Sequence, residues 1–249
     1  MSSRYFLDQP LTVGLVQLEA AEAHHLGHVM RVQLGDEILL FDGQGHEALA
    51  IVRQVERDKI LLETAELLEV DRELPFPLVL AVALPRGDRQ KWLVEKLVEL
   101  GVTELLPVVT ERGVAQPVSK AIERLQRTVI EASKQSGRTR LMKINSPCSL
   151  AQLLEDEADA DCRLIADPGP TSQQFERLGG EKPGGGRIVA AVGPEGGFSP
   201  SEMELADQAG WQRTRLGERI LRVETAAIAL AALLACSHDA AASSGPDSR

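Results

Sequence analysis

RIVAAVGPEGGFSPSE, residues 187–202, is the stretch on which the fold class turns. Its run of small and β-branched apolar residues, 188–192, reads as a buried strand, because a parallel sheet covered on both faces needs no polar alternation. The run breaks at Gly193 and Pro194. Ser199, Pro200 and Glu202 then fall at the N-cap, first and third positions of a helix. There the Ser199 hydroxyl and Glu202 carboxylate can satisfy orphan backbone N–H groups reciprocally, and the proline has no N–H to leave unpaired. Strand, glycine loop and helix together make one α/β unit. Gly193, Gly196 and Gly197 sit at the carboxyl end of the strand, where open α/β sheets bind ligands and where a missing Cβ lets a ligand approach the backbone. The loop is neither Gly-x-Gly-x-x-Gly nor a P-loop, since no Gly-Lys-Ser/Thr follows. A plain turn is the competing reading of these glycines.

Upstream, the same alternation of apolar strands and helical periodicity extends back to Pro77. Strands are expected at 78–84, 102–109, 141–144 and 163–166. Asp88 is placed to cap a helix carrying Trp92, Leu93, Lys96, Leu97 and Leu100 and stopping at Gly101. Ser119 precedes a second helix, running to Ser136, with Ile122, Leu125, Val129 and Ile130 on one side. Residues 179–186 form a Gly-rich loop. Residues 1–70 differ, with short strand-like runs at 11–18, 37–41, 48–55 and 60–63, a turn at Asp42, Gly43 and Gly45, and helical spacing over 19–31. This predicts a small β-barrel-like domain over 1–72, an α/β domain over 73–238 and a disordered polar tail over 239–249. Pro75 and Pro77 mark the boundary.

The composition narrows the function classes. In 249 residues the longest uncharged apolar run, 226–236, is about half of what a bilayer span requires, and no basic-then-apolar leader precedes Asp8. Cys148, Cys162 and Cys236 are odd in number and far apart, so neither a disulfide framework nor a thiolate zinc site is legible, and a reducing cytoplasm fits. His24 and His28 share a helix face, but no cysteine completes a ligand set, so no metal is expected. Net charge is −10, which taken whole disfavours a nucleic-acid partner, yet residues 84–143 carry 12 basic against 7 acidic groups. That basic band is a hint of a polyanion partner, with solvated helix faces as the alternative.

A second informative stretch is LGERILRVET, residues 216–225, followed by an alanine-rich helix. A carboxylate at Glu224 suits a helix N-terminus. Arg222, between an apolar strand and a buried helix, needs a partner, either Glu224 or a substrate oxygen. GPEGG at 193–197 with LGERILRVET at 216–225 resembles the RsmE family of 16S ribosomal RNA uracil-N3 methyltransferases, in the SPOUT superfamily. Arg4-Tyr5-Phe6, His24-His25-Leu26 through Arg31, and EASKQSGR at 131–138 agree with it. The chain departs from the common pattern at Val223, where Thr is frequent, and at Lys134, where Glu is frequent.

The resemblance implies an N-terminal PUA-like RNA-binding barrel and a C-terminal SPOUT domain, a mostly parallel trefoil-knotted sheet with flanking helices. Chain physics alone would not suggest the knot, since knots are nearly absent among folds. It implies S-adenosylmethionine as cofactor, 16S rRNA in the small ribosomal subunit as partner, and a homodimer. Carried over by position, the cofactor would contact Leu164, Ala166, Val192, Gly193, Pro194, Glu195, Gly196, Gly197, Leu216, Gly217, Ile220, Leu221, Arg222, Thr225 and Ala226. Arg222 would stabilise the uracil anion, and Glu224 would orient Arg222 or accept the N3 proton. For RNA the candidates are Arg4, Arg31, Arg86, Arg89, Lys91, Gln135, Arg138 and Arg140, with Lys134 strengthening the basic band. Aromatics are 3% of the chain, and the base-stacking candidates Tyr5, Phe6 and Phe198 read more readily as core. The competing readings are a non-catalytic ribosome-binding factor, a doubly wound nucleotide enzyme, and a SPOUT methyltransferase of another RNA.

Overall fold

The computed structural model describes residues 4–56, 58–113, 119–170, 172–174 and 186–242. The chain divides into two compact units. The first runs through Glu73 and takes in Ile130–Leu141, and the second holds Leu74–Val129 and the chain from Met142 onward. The expectation of an unbroken second domain over 73–238 is thus corrected, because residues 130–141 pack with the first unit. Hydropathy cannot register such a return, since an amphipathic helix buries the same stripe whichever unit receives it.

In the first unit β1 (Arg4–Phe6), β2 (Gly14–Glu19), β3 (Glu37–Phe41), β4 (His46–Val55), β5 (Lys59–Thr64) and β6 (Leu68–Glu69) form one sheet. Its order is β1-β3-β4-β5-β2, with β6 on β4, and a register shift between Val52 and Gln54 bends it into a half-barrel. Alternate residues Leu18, Leu40, Ile60 and Leu62 face the core with Tyr5. Tyr5 and Phe6 are buried, as is Phe198 in the second unit, so all three are core. The single helix expected over 19–31 is shorter and broken: α1 (Ala20–His24) runs into one π-turn over His25–Val29. Arg31, in the left-handed region at φ 54°, ends it.

The β3–β4 turn is organised by Asp42. Its Oδ1 accepts the Gln44 and His46 backbone N–H groups at 2.8 and 3.2 Å, and its Oδ2 pairs with the His46 ring at 2.9 Å. Burial pushes the Asp42 carboxyl up, but the donors on Gln44, His46 and Leu11 outweigh it and hold the group below the usual carboxylate range. The folded state therefore binds this proton less readily than the unfolded chain. The stabilisation is complete well above the unfolded value of about 3.9 and is lost as pH falls through the lower folded value. The urea midpoint of this unit is expected to drop on acidification across that window, and Asp42→Asn is expected to flatten the drop. An unchanged pH slope in that variant would exclude Asp42 as its source.

In the second unit β7 (Leu78–Val82), β8 (Glu104–Val109), β9 (Lys143–Ile144), β10 (Cys148–Ser149), β11 (Cys162–Ala166), β12 (Gln173–Gln174), β13 (Ile188–Val192) and β14 (Gln212–Arg215) form a parallel sheet. The order is β10-β8-β7-β13-β11-β14-β12, with β9 on β8. Every residue of β7 and β13 is buried. Arg187 fixes the entry to β13, its Nε donating to Glu157 Oε2 at 2.8 Å and its Nη1 to Glu104 Oε1 at 3.0 Å. The helices are α2 (Arg89–Glu99), α3 (Ser119–Ser136), α4 (Leu150–Asp156), α5 (Pro200–Gln208) and α6 (Val223–Ala242). Helix α2 buries Leu93, Val94, Leu97 and Val98 but leaves Trp92 45% exposed. Asp88 precedes it in helical geometry and its side chain makes no cap hydrogen bond, which corrects the expected capping role.

Ala227, Leu230, Ala231 and Leu234 of α6 are buried, and the helix packs on α2, β7 and β13 of the same chain. Because α6 continues to Ala242, the expected tail over 239–249 starts too early, and residues 243–249 lie outside the described residues. So do residues 179–185 of the expected Gly-rich loop. Among the described residues no helix is long and apolar enough to cross a membrane.

Candidate active site

Strands β13, β11 and β14 are neighbours and run parallel, so the chain leaves all three at one edge of the sheet. The departing segments converge on a cleft of about 620 Å³, open mouth included. Ala166 and Val192 close its floor at the strand ends. Gly193, Pro194, Glu195 and Gly197 line it from the glycine loop, and Leu216, Gly217, Ile220, Leu221 and Ala226 from the segment leading into α6. Four expected contacts lie outside this lining, Arg222 among them. Leu164 is buried within β11, Thr225 is exposed on α6, and the Gly196 carbonyl accepts a hydrogen bond from Arg112 at 3.1 Å. Thr214 and Arg215 also line the cleft but were not singled out from the sequence. The missing signal was β14, whose sequence Gln-Arg-Thr-Arg has no apolar pattern to mark it as a strand.

The glycine loop is held at both ends. Ser199 Oγ accepts the Glu202 N–H at 3.2 Å, and Glu202 Oε2 accepts the Ser199 N–H at 2.7 Å, which completes the capping box. Glu202 Oε1 also accepts the Glu111 N–H at 2.9 Å, tying the start of α5 to the chain beyond β8. At Gly193 an added Cβ would stand 3.0 Å from the Phe198 ring, and Gly197 has φ 67°, so each position demands glycine for its own reason.

The lining suits a largely apolar ligand with a cationic centre and a few polar groups. Ala166, Val192, Leu221 and Ala226 supply apolar wall and Glu195 a carboxylate. Thr214 Oγ1 and Arg215 Nε are buried without a hydrogen-bond partner among the described residues. Asp167 is engaged locally, accepting from Ser172 Oγ at 2.7 Å and from the Gly169 N–H at 3.1 Å. Thiol chemistry has no support here, because burial pushes the Cys148 and Cys162 thiols up. Among the described residues no three His, Cys, Asp or Glu side chains form a group able to hold a metal.

Arg222 is exposed and outside the cleft lining, although its neighbours Leu221 and Val223 belong to it, and its side chain has no ion pair among the described residues. Glu224 is 4% exposed and does not pair with Arg222. Its Oε2 instead lies 3.5 Å from Arg89 Nη1. The expected orientation of Arg222 by Glu224 is therefore corrected. Arg222 precedes α6, whereas Glu224 lies in its first turn and meets Arg89 at the start of α2.

The RNA candidates separate in the same way. Arg4 is spent inside the first unit, donating to the Ser133 and Arg138 carbonyls at 2.8 and 2.7 Å and lying 4.2 Å over the Phe41 ring. Arg138 is 4% exposed and forks onto Glu73. Lys134 pairs with Glu22 and Glu131. Burial lowers its pKa, but these carboxylates outweigh that and hold it above its ordinary value. These three cations are engaged within the fold, which corrects the assignment of Arg4 and Arg138 to RNA. Arg31, Gln135 and Arg140 of the first unit and Arg86 and Lys91 of the second are exposed.

A sequence-family model described as an RNA methyltransferase domain matches residues 72–235, and one described as an RNA methyltransferase PUA domain matches residues 18–64. The chain is 36% identical to the ribosomal RNA small subunit methyltransferase E of Synechocystis, over 85% of its own length and 69% of that protein. A crystal structure of the ribosomal RNA small subunit methyltransferase E of Neisseria gonorrhoeae, bound to S-adenosylmethionine, superposes with a TM-score of 0.85 at 33% identity, covering 93% of this chain and 96% of the other. A Legionella pneumophila structure holding the same cofactor gives a TM-score of 0.87 at 30% identity, with 95% and 98% coverage. The chain thus belongs to the ribosomal RNA small subunit methyltransferase E family, S-adenosylmethionine-dependent RNA methyltransferases that join a PUA domain to a SPOUT domain.

Proposed function

We propose that this chain methylates N3 of a uridine in 16S rRNA of the small ribosomal subunit. The observation that carries the reading is the cleft built by three loops at the carboxyl ends of β13, β11 and β14, with Arg222 exposed between the lining residues Leu221 and Val223. S-adenosylmethionine, when bound there, supplies an electrophilic methyl group. Ala166, Val192, Leu221 and Ala226 would hold its apolar surface, and the glycine loop would lie against it. The chain's own task is at the nucleobase. Uracil N3 is a weakly acidic imide that must lose its proton to solvent, so negative charge develops on the ring oxygens. Arg222, with no carboxylate partner among the described residues, stabilises that charge. Glu224, turned toward Arg89, acts on the site only through that arginine.

Arg31, Gln135 and Arg140 on the PUA unit, with Arg86 and Lys91 on the methyltransferase unit, are the proposed RNA contacts. Neutralising a single phosphate-contacting arginine among them is expected to reduce the slope of log affinity against log salt by about 1. We also propose a homodimer acting in the cytoplasm, where ribosomes are assembled. Ile220, 86% exposed, and Trp92 are large apolar groups available for such an interface. The deciding experiment incubates purified protein, isotopically labelled S-adenosylmethionine and small subunits from cells lacking the modification, followed by nucleoside mass spectrometry. Labelled 3-methyluridine is the expected product. A different labelled nucleoside would overturn the uracil assignment, and absence of both cofactor binding and label would favour a non-catalytic ribosome-binding role.

A further inference from the structure

We propose that Arg89 is a positioning residue that ties the glycine loop to the first turn of α6 and thereby sets the shape of the cleft. The inference rests on reading that cleft as the cofactor site. Arg89 is the first residue of α2, and a single nitrogen of its guanidinium serves two carboxylates. Nη1 donates to Glu195 Oε1 at 3.3 Å and lies 3.5 Å from Glu224 Oε2. Among the described residues it is the one cation within ion-pair distance of either carboxylate. Glu195 lines the cleft from the glycine loop, and Val223 and Ala226, on either side of Glu224 in the chain, line it from α6. The Glu224 side chain is only 6% exposed, and its Oε2 makes no hydrogen bond, so the charge of Arg89 is what compensates its burial. Without Arg89 the two carboxylates share one region with no counter-charge, and repulsion drives the loop away from α6. Arg112 holds the loop independently, its Nη1 donating to the carbonyls of Gly196 and Phe198 at 3.1 and 3.3 Å. Loss of Arg89 therefore releases the Glu195 end alone. This role replaces the phosphate contact that the sequence suggested for Arg89.

The test compares wild type, Arg89→Gln, Arg89→Lys and the double variant Arg89→Gln/Glu195→Gln. S-adenosylmethionine affinity is read by calorimetry and RNA affinity by a salt titration. Arg89→Gln is expected to weaken cofactor binding about tenfold, and the double variant to recover part of the loss because the repelling charge is gone. The RNA salt slope is expected to stay at its wild-type value. Arg89→Lys keeps a cation but lacks the planar fork, so it tests the bridge even if the Gln variant fails to fold, and an intermediate loss is expected. Wild-type cofactor affinity in both single variants overturns the proposal, as does a double variant no better than Arg89→Gln. A reduced salt slope with cofactor affinity intact would make Arg89 a phosphate contact instead. Failure of the wild-type chain to bind the cofactor would overturn the underlying reading of the cleft.

Discussion

Arg222→Ala is expected to lower the turnover of methyl transfer by about 100- to 1,000-fold, the cost of removing one preorganised group aimed at developing charge. S-adenosylmethionine affinity is expected to stay near the wild-type value, because the Arg222 side chain lies outside the cleft lining and the structure gives it no ion pair to break. Measured at saturating cofactor over a range of RNA concentrations, the loss should fall on kcat and on kcat/KM together, the pattern of an interaction made only in the transition state. A loss confined to KM for RNA would recast Arg222 as a binding residue. Near-normal turnover would remove it from the mechanism.

Glu202→Ala is expected to produce the largest stability loss near the site, about 3 kcal/mol, because two charge-assisted hydrogen bonds vanish and two N–H donors, one buried and one part-buried, lose their acceptor. Those donors are the Ser199 and Glu111 N–H groups, and Glu202 is itself 6% exposed. Ser199→Ala gives the comparison, since it removes one cap bond and is expected to cost about 1 kcal/mol. Urea denaturation of the two variants, followed by a probe in the second unit, measures the difference. Equal losses in the two would mean that the bond to Glu111 adds nothing. A lower cofactor affinity in Glu202→Ala is also expected, because the bond to Glu111 fixes the end of the glycine loop.

How far these residues were legible in advance depended on whether their function was local in the chain. The capping box at Ser199 and Glu202 and the buried strand 188–192 were legible because each is defined by neighbours a few residues away. Strand β14 was not, because its pairing with β11 and β12 lies in tertiary contacts while its side chains are polar. The cations misled for the same reason. Residue type gives charge, but the partner that consumes it sits far away in the chain, as Glu47 and the Ser133 carbonyl do for Arg4 and Glu73 does for Arg138.

The sequence by itself determined the α/β class of the second unit, the turn at Asp42 and Gly43, the glycine loop with its capped helix, and, through GPEGG and LGERILRVET, the family. Each of these rests on a pattern short enough for backbone geometry or residue spacing to enforce. Only the tertiary structure decided which loops meet at the cleft, that residues 130–141 return to the first unit, and that Glu224 faces Arg89 rather than Arg222. Those outcomes depend on which strand lies beside which and on the face of a helix that becomes buried, and packing sets both only after the chain has folded.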